Sequence, residues 1–118
     1  LQNYILKKVL EMNKTEFEKQ KQVLKDTYEK ELVNLQKQYA RLNNSVKIGD
    51  IIQDWRGTLI KVDKMQIITS SFTNEYPEYI YEGLKVTKKG ILFKDGTSDD
   101  IYQSRLVKIN GVEVKNEN

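Results

Sequence analysis

Residues 24–42 read LKDTYEKELVNLQKQYARL, and this stretch decides the fold of the chain. Its apolar side chains recur at steps of three and four residues, which is the spacing of an amphipathic helix that pairs in a coiled coil. The pattern continues upstream to the start of the chain, and no glycine or proline precedes Gly49. The sequence therefore predicts one unbroken helix from Leu1 to about Asn43.

The apolar positions of this helix form a seam along one face. Asn13 and Gln20 are polar members of the same spacing, and a buried polar side chain at such a position can fix the register and the number of helices. Consecutive steps of four around Leu24 and Tyr28 form a stutter, which locally unwinds a supercoil. The predicted oligomer seam is Leu6, Leu10, Phe17, Leu24, Tyr28, Leu32, Leu35, Tyr39 and Leu42.

A helix of this length is about 65 Å long at 1.5 Å per residue. The rest of the chain, folded compactly, is only about 25 Å across, so it can cover less than half of the seam. We therefore expect a homo-oligomer, with a dimer favoured. A different protein or peptide partner and a helix folded back on its own chain are the alternatives, and parallel and antiparallel pairing both stay open.

The apolar period changes after Asn44, where short strand-like runs alternate with glycine turns. Parity shifts within two of these runs predict β-bulges, one in the run from Thr58 and one after Gly83. Asn110-Gly111 between two apolar runs is the strongest hairpin signal in the chain. The predicted strands are 46–54, 58–69, 78–86, 91–93, one beginning at 101, and the hairpin 106–114.

Residues 48–51 read IGDI, and they are followed by Gly57 and a long bent strand. This arrangement resembles the opening of small SH3-like barrels of the KOW or Tudor type, over residues 46–68. The resemblance implies a binding module for peptide or nucleic acid. The predicted fold is α+β, with a long N-terminal coiled-coil helix (1–44), a small SH3-like β-barrel or rolled antiparallel sheet (45–115) and a disordered tail (116–118).

The composition excludes several kinds of chemistry. There is no cysteine and no histidine, which removes disulfides, thiol chemistry, the commonest general base and the usual zinc ligand. The acidic segment from Asp95 to Asp100 offers oxygens for Ca²⁺, but its spacing departs from the EF-hand pattern, so a solvated turn is favoured. Asp50, Asp54 and Asp63 are interpreted as turn or capping residues. We predict no enzyme, no catalytic residue, no cofactor and no metal site.

The charge is divided unevenly along the chain. Residues 1–43 hold nine Lys/Arg and six Asp/Glu, whereas residues 44–118 hold eleven of each. Lysines outnumber arginines seventeen to three, and because arginine is preferred for forked phosphate recognition, a nucleic-acid partner is not favoured.

No apolar run approaches the roughly 18 residues that span a bilayer, so we expect no membrane partner and a cytoplasmic location. The Lys/Asn-rich composition is typical of an AT-rich bacterial or phage genome.

Two aromatic segments give the candidate binding surface. Trp55 and Arg56 lie in a predicted turn, and Tyr76, Pro77 and Tyr79 belong to the most aromatic stretch of the chain. We favour the interpretation that the tryptophan closes one end of the barrel and that the tyrosines pack in its core, with Tyr76 the best candidate for an exposed position. Lysines 85, 88, 89 and 94 are interpreted as solvated surface. The predicted function is a non-enzymatic interaction or assembly protein, with a nucleic-acid-associated factor as the alternative.

Overall fold

A computed structural model describes residues 12–69 and 75–115 of the chain. The chain divides into two compact units, Leu1–Leu35 and Gln36–Asn118. The first described element is helix α1, Lys14–Leu42, and six strands in the second unit form one antiparallel sheet. The α+β class is therefore confirmed.

Helix α1 begins later than the sequence predicts. Met12 and Asn13 are not helical, and the Asn13 side-chain oxygen accepts a hydrogen bond from the Glu16 backbone amide at 2.9 Å. An asparagine in this position is an N-cap, because its side chain satisfies an amide that the helix leaves free. The prediction of one unbroken helix from Leu1 is therefore wrong, and Asn13 caps the helix instead of joining the seam.

The predicted helix stop near Asn43 is confirmed, since α1 ends at Leu42. The Tyr39 carbonyl oxygen accepts from both the backbone amide and the side-chain amide of Asn43, at 3.3 and 2.9 Å, so Asn43 closes the last turn of the helix. Two predicted seam residues, Leu6 and Leu10, and the predicted tail at 116–118 lie outside the described residues.

The sheet has the strand order β4-β3-β2-β1-β5-β6, and each neighbouring pair is antiparallel. The first four strands follow one another along the chain, and β5 returns to pair with β1 after a short 3₁₀ helix, Gln103–Arg105. The strands are β1 (Ile51–Asp54), β2 (Leu59–Ile68), β3 (Glu78–Lys85), β4 (Ser98–Tyr102), β5 (Leu106–Ile109) and β6 (Val112–Glu113).

The predicted Asn110-Gly111 hairpin is confirmed. Both residues have positive φ, 49° and 80°, as a type I′ turn requires. The predicted strand at 91–93 is not formed, and only an isolated bridge joins Val86 to Leu92. Turns on both sides, closed by hydrogen bonds from the Gly90 and Gly96 amides, leave too few residues for a ladder.

Of the two bulges predicted from parity shifts, the one in β2 is formed and the one in β3 is not. The register between β2 and β3 changes between Val62 and Lys64, so Asp63 is the extra residue and the bulge in β2 is confirmed. The separate bulge predicted after Gly83 is wrong, because β3 pairs with β4 in continuous register through that residue. Gly83 serves a different purpose: a Cβ there would overlap the Lys61 carbonyl oxygen, so only glycine lets the two strands approach.

The core of the second unit is a single apolar cluster to which five strands contribute. Tyr81 is fully buried, and its hydroxyl donates to the Asn44 side-chain oxygen at 2.6 Å. Asn44 also exchanges two hydrogen bonds with the backbone of Val46, which fixes the segment after the helix. Burial is the main cause that raises the pKa of Tyr81. The cluster consists of Val46, Ile52, Ile60, Val62, Tyr81, Ile101 and Leu106.

Candidate functional site

The apolar stripe of α1 is exposed. Every residue from Asn13 to Leu35 is in the exposed class, and Leu24 and Leu35 expose 72% and 62% of their surface. Val23 and Val33 are also exposed, but at about 100° per residue they lie on the side of the helix away from the seam. The exposed large apolar residues of the helix are Phe17, Val23, Leu24, Tyr28, Leu32, Val33, Leu35, Tyr39 and Leu42.

Tyr39, in the second unit, differs from the rest of the seam because it has an aromatic partner. Its ring stacks on that of Tyr76 with centroids 5.9 Å apart. Tyr76 precedes Pro77 and remains 62% exposed. Tyr79 is half-buried, packs against the core cluster and stacks on Tyr81 at 6.0 Å. The aromatic stretch thus divides between surface and core packing.

Trp55 and Arg56 form the turn between β1 and β2. Trp55 is 65% exposed, whereas the preceding Asp54 is buried. One oxygen of the Asp54 carboxylate, Oδ1, accepts from the backbone amides of Arg56 and Thr58 at 3.0 and 3.1 Å. The other, Oδ2, accepts from Arg56 Nε at 2.7 Å. This hydrogen bond is the main cause that raises the pKa of Arg56, and it holds the guanidinium against the Asp54 carboxylate.

Arg105 also lies at this turn, although it is distant in sequence. Its carbonyl oxygen accepts from the Trp55 amide at 3.1 Å, and its guanidinium lies 5.0 Å from the centroid of the Tyr102 ring. Two of the three arginines of the chain therefore adjoin the single tryptophan. No local sequence pattern indicates this contact, because it depends on β5 pairing with β1.

The five residues of the predicted binding surface lie at two ends of β2. Trp55 and Arg56 come just before the start of β2, where Ile60 pairs with Lys85. Tyr76 and Pro77 come just before the start of β3, which lies beside the other end of β2, where Ile68 pairs with Glu78. Eight residues of strand separate these two pairs, which is about 26 Å at 3.3 Å per residue. The structure thus brings together Trp55 with Arg56, and Tyr76 with Pro77, as two separate sites.

A basic cavity lies beside the β1–β2 turn, and sequence reasoning did not find it. Its volume is about 560 Å³, and three lysines, Lys88, Lys89 and Lys108, line it together with Gln53 and Asn110. Among the described residues, none of these lysines is within ion-pair distance of a carboxylate. The cavity thus collects positive charge that the rest of the unit does not neutralise by direct contact.

A second cavity of about 350 Å³ adjoins the first. Arg56, Lys85 and Phe93 contribute to its wall, and it shares Leu59 and Lys88 with the first cavity. No aspartate or glutamate is among the described residues that line either cavity. We call the two together the basic groove.

The Asp95–Asp100 segment lies near the basic groove but has its own partners. Hydrogen bonds from Thr97 lower the pKa of Asp95, and the charge of Lys85 adds a smaller contribution in the same direction. Asp99 lies 3.7 Å from the Arg56 guanidinium. Within 12–69 and 75–115, no group of three or more acidic side chains has an arrangement that could hold a metal ion.

Comparisons with protein-family models, with curated proteins and with solved structures found no significant match to this chain. In the described part of the chain, no helix is long and apolar enough to cross a membrane. The features of the described residues that bear on function are therefore the exposed helix stripe and the basic groove.

Proposed function

We propose that this chain is a non-enzymatic interaction and assembly protein, which self-associates through α1 and uses its sheet unit as a binding module. The observation that carries the proposal is the exposed apolar stripe. An isolated helix gains little stability from propensity alone, and amphipathic helices depend on burial of the apolar face. The stripe of α1 has coiled-coil spacing, so a second copy of the same helix is the occupant that fits it.

The size of the stripe is sufficient for a stable pair. Full burial of a leucine-sized side chain is worth about 1.5–3 kcal/mol at about 25 cal/mol per Å², which corresponds to about 60–120 Å². Seven predicted seam residues lie within the described helix, so the seam offers about 600 Å² per copy and about 1,200 Å² in a pair. That area reaches the lower end of stable, specific interfaces.

The proposed binding module is a sheet rolled into an SH3-like barrel. In support, Ile101 of β4 packs in the same cluster as Leu106 of β5, although three strands separate β4 from β5 in the sheet. Arg56, in the β1–β2 turn, donates to the Asp100 carbonyl oxygen in β4 at 3.4 Å. Contacts between strands that are not neighbours are expected when a sheet curls around its own core.

Light scattering coupled to size-exclusion chromatography tests self-association. We expect the full chain to have about twice its 13.9 kDa mass at micromolar concentration. The double variant Leu24→Lys/Leu35→Lys should run as a monomer, because it places charge in the seam. The matched control Gln22→Lys/Asn34→Lys adds the same charge at off-seam positions and should keep the wild-type mass. A monomeric wild type with full helicity by circular dichroism would overturn the proposal.

One specific observation supports the alternative function, that of a nucleic-acid-associated factor. The lysines at 85, 88 and 89, interpreted from sequence as solvated surface, border a groove without acidic lining. This observation concerns the sheet unit and does not compete with self-association through α1.

A further inference from the structure

We infer that the basic groove binds single-stranded nucleic acid, with Lys88, Lys89 and Lys108 contacting phosphates and Phe93 stacking on a base. The inference rests on the proposed role of the sheet unit as a binding module and names its ligand class. It is independent of the helix seam, so the two can fail separately.

The charge distribution is the first argument. Residues 44–118 contain equal numbers of basic and acidic side chains, yet five cationic side chains and no carboxylate line the groove. Asp54 and Asp99 are within ion-pair distance of Arg56, and the charge of Lys85 is the smallest of the causes that shift the pKa of Asp95. Three lysines therefore remain for an anionic ligand.

Two further carboxylates, Asp50 and Glu113, neighbour residues that line the groove. Asp50 accepts a hydrogen bond from the Asn110 side-chain amide at 3.1 Å and another from the Lys47 backbone amide at 2.8 Å. Glu113 is opposite Lys108 in the β5–β6 register, but the two are not within ion-pair distance. Neither carboxylate lines the groove, so the interior stays positive.

The loop that carries two of the lysines is held in place before any ligand arrives. The Thr87 amide donates to the Ile91 carbonyl oxygen, and the Gly90 amide donates to the Thr87 carbonyl oxygen, both at 2.8 Å. Gly90 has a positive φ of 79°, and a Cβ there would lie 3.0 Å from the Ile51 side chain. The loop therefore packs on β1, so its backbone is already placed and the side chains of Lys88 and Lys89 are what binding has to order.

Shape and aromatic exposure favour a flexible nucleic-acid strand over other polyanions. The two cavities share Leu59 and Lys88, so they adjoin as one indented surface, and a flexible strand follows such a surface more closely than a flat membrane does. Phe93 is 44% exposed at the second cavity, and Trp55 is 65% exposed next to Arg56. Aromatic faces stack with bases, worth about 1–3 kcal/mol for each base. An acidic peptide would gain nothing comparable from them.

Fluorescence anisotropy with a labelled oligothymidine tests the groove on the full-length chain. For three phosphate contacts on a single strand, a plot of the logarithm of the binding constant against the logarithm of the salt concentration should have a slope of about −2. Binding should therefore weaken about 100-fold for a tenfold rise in salt. The variant Lys88→Gln/Lys89→Gln/Lys108→Gln should bind at least tenfold more weakly and lose most of the slope. The control Lys47→Gln/Lys64→Gln/Lys115→Gln removes the same charge outside the groove and should behave like the wild type.

A second pair of variants tests stacking separately from charge. Phe93→Leu should weaken binding about five- to tenfold with an unchanged salt slope, whereas Phe93→Tyr should retain affinity. Equal binding by the two triple variants would overturn the inference, as would polyglutamate binding more tightly than oligothymidine. If the oligonucleotide does not bind while the chain keeps its dimer mass, the inference fails and the proposed self-association stands.

Discussion

Replacing Asp54 by asparagine should separate the ion pair of the β1–β2 turn from the backbone hydrogen bonds of the same carboxylate. Oδ1 accepts both backbone amides, and Oδ2 accepts only Arg56 Nε. Asparagine keeps an oxygen for the amides but places an NH₂ group against the guanidinium. Asp54→Ala removes all three hydrogen bonds.

The expected magnitudes follow from these contacts. A hydrogen bond between charged groups contributes about 1.5–3 kcal/mol. The Arg56 side chain is 40% exposed, so solvent screening reduces this, and we expect Asp54→Asn to lower the unfolding free energy by about 2 kcal/mol. Asp54→Ala should cost about 4 kcal/mol, since two backbone amides lose an acceptor worth about 1 kcal/mol each.

Urea unfolding, followed by tryptophan fluorescence and circular dichroism, measures these differences. If the unfolding free energy falls by about 1.3 kcal/mol for each M of urea, Asp54→Asn should lower the urea midpoint of unfolding by about 1.5 M. A double-mutant cycle with Arg56→Met isolates the pair, and we expect a coupling energy of about 1–2 kcal/mol. If Asp54→Asn costs as much in the Arg56→Met background as in the wild type, the coupling is zero and the reasoning is refuted.

Three further substitutions test other parts of the fold. Gly83→Ala should cost about 3 kcal/mol in urea unfolding, because its Cβ overlaps the Lys61 carbonyl oxygen, and a wild-type midpoint would contradict this. Tyr81→Phe should cost about 1 kcal/mol at neutral pH, since it loses the hydrogen bond to Asn44. Burial raises the folded-state pKa of Tyr81, so wild-type stability should fall as pH rises above about 10, and a base titration should show a shallower fall in the phenylalanine variant. Asn13→Ala should lower helix stability by about 1 kcal/mol and speed amide exchange in the first turn. Asn13→Asp should keep the wild-type stability and the wild-type exchange rate, because aspartate also caps a helix.

The sequence predicts those elements whose signals are local. The type I′ hairpin depends on two adjacent residues, and the helix stop depends on the asparagines that follow Leu42, so both were predictable. The bulge in β2 follows from its own change of parity. The parity shift after Gly83 looked similar but has a different cause, since this glycine lets the backbone of β2 approach β3 closely. The sequence of one strand does not show which neighbouring strand comes close.

The helix start shows where periodicity misleads. Asn13 fits the seam spacing, but its short amide side chain can also hydrogen-bond to a nearby backbone amide, and this competes with helix continuation. The spacing alone does not distinguish a buried polar seam residue from an N-cap. A glutamate at position 16, three residues after the asparagine, is typical of a capping signal and could have indicated the break.

The basic groove illustrates a site whose signal is not local at all. Its lysines come from the β3–β4 connection and from β5, some twenty residues apart. In the sequence the nearest acidic residue is five or six positions from each lysine, and residues 44–118 read as neutral and mixed. Folding separates the two signs because the carboxylates nearest the turn take backbone and guanidinium partners of their own, Asp54 within its turn and Asp99 at Arg56. A neutral domain can therefore present a positive interior, and net charge alone does not exclude an anionic ligand.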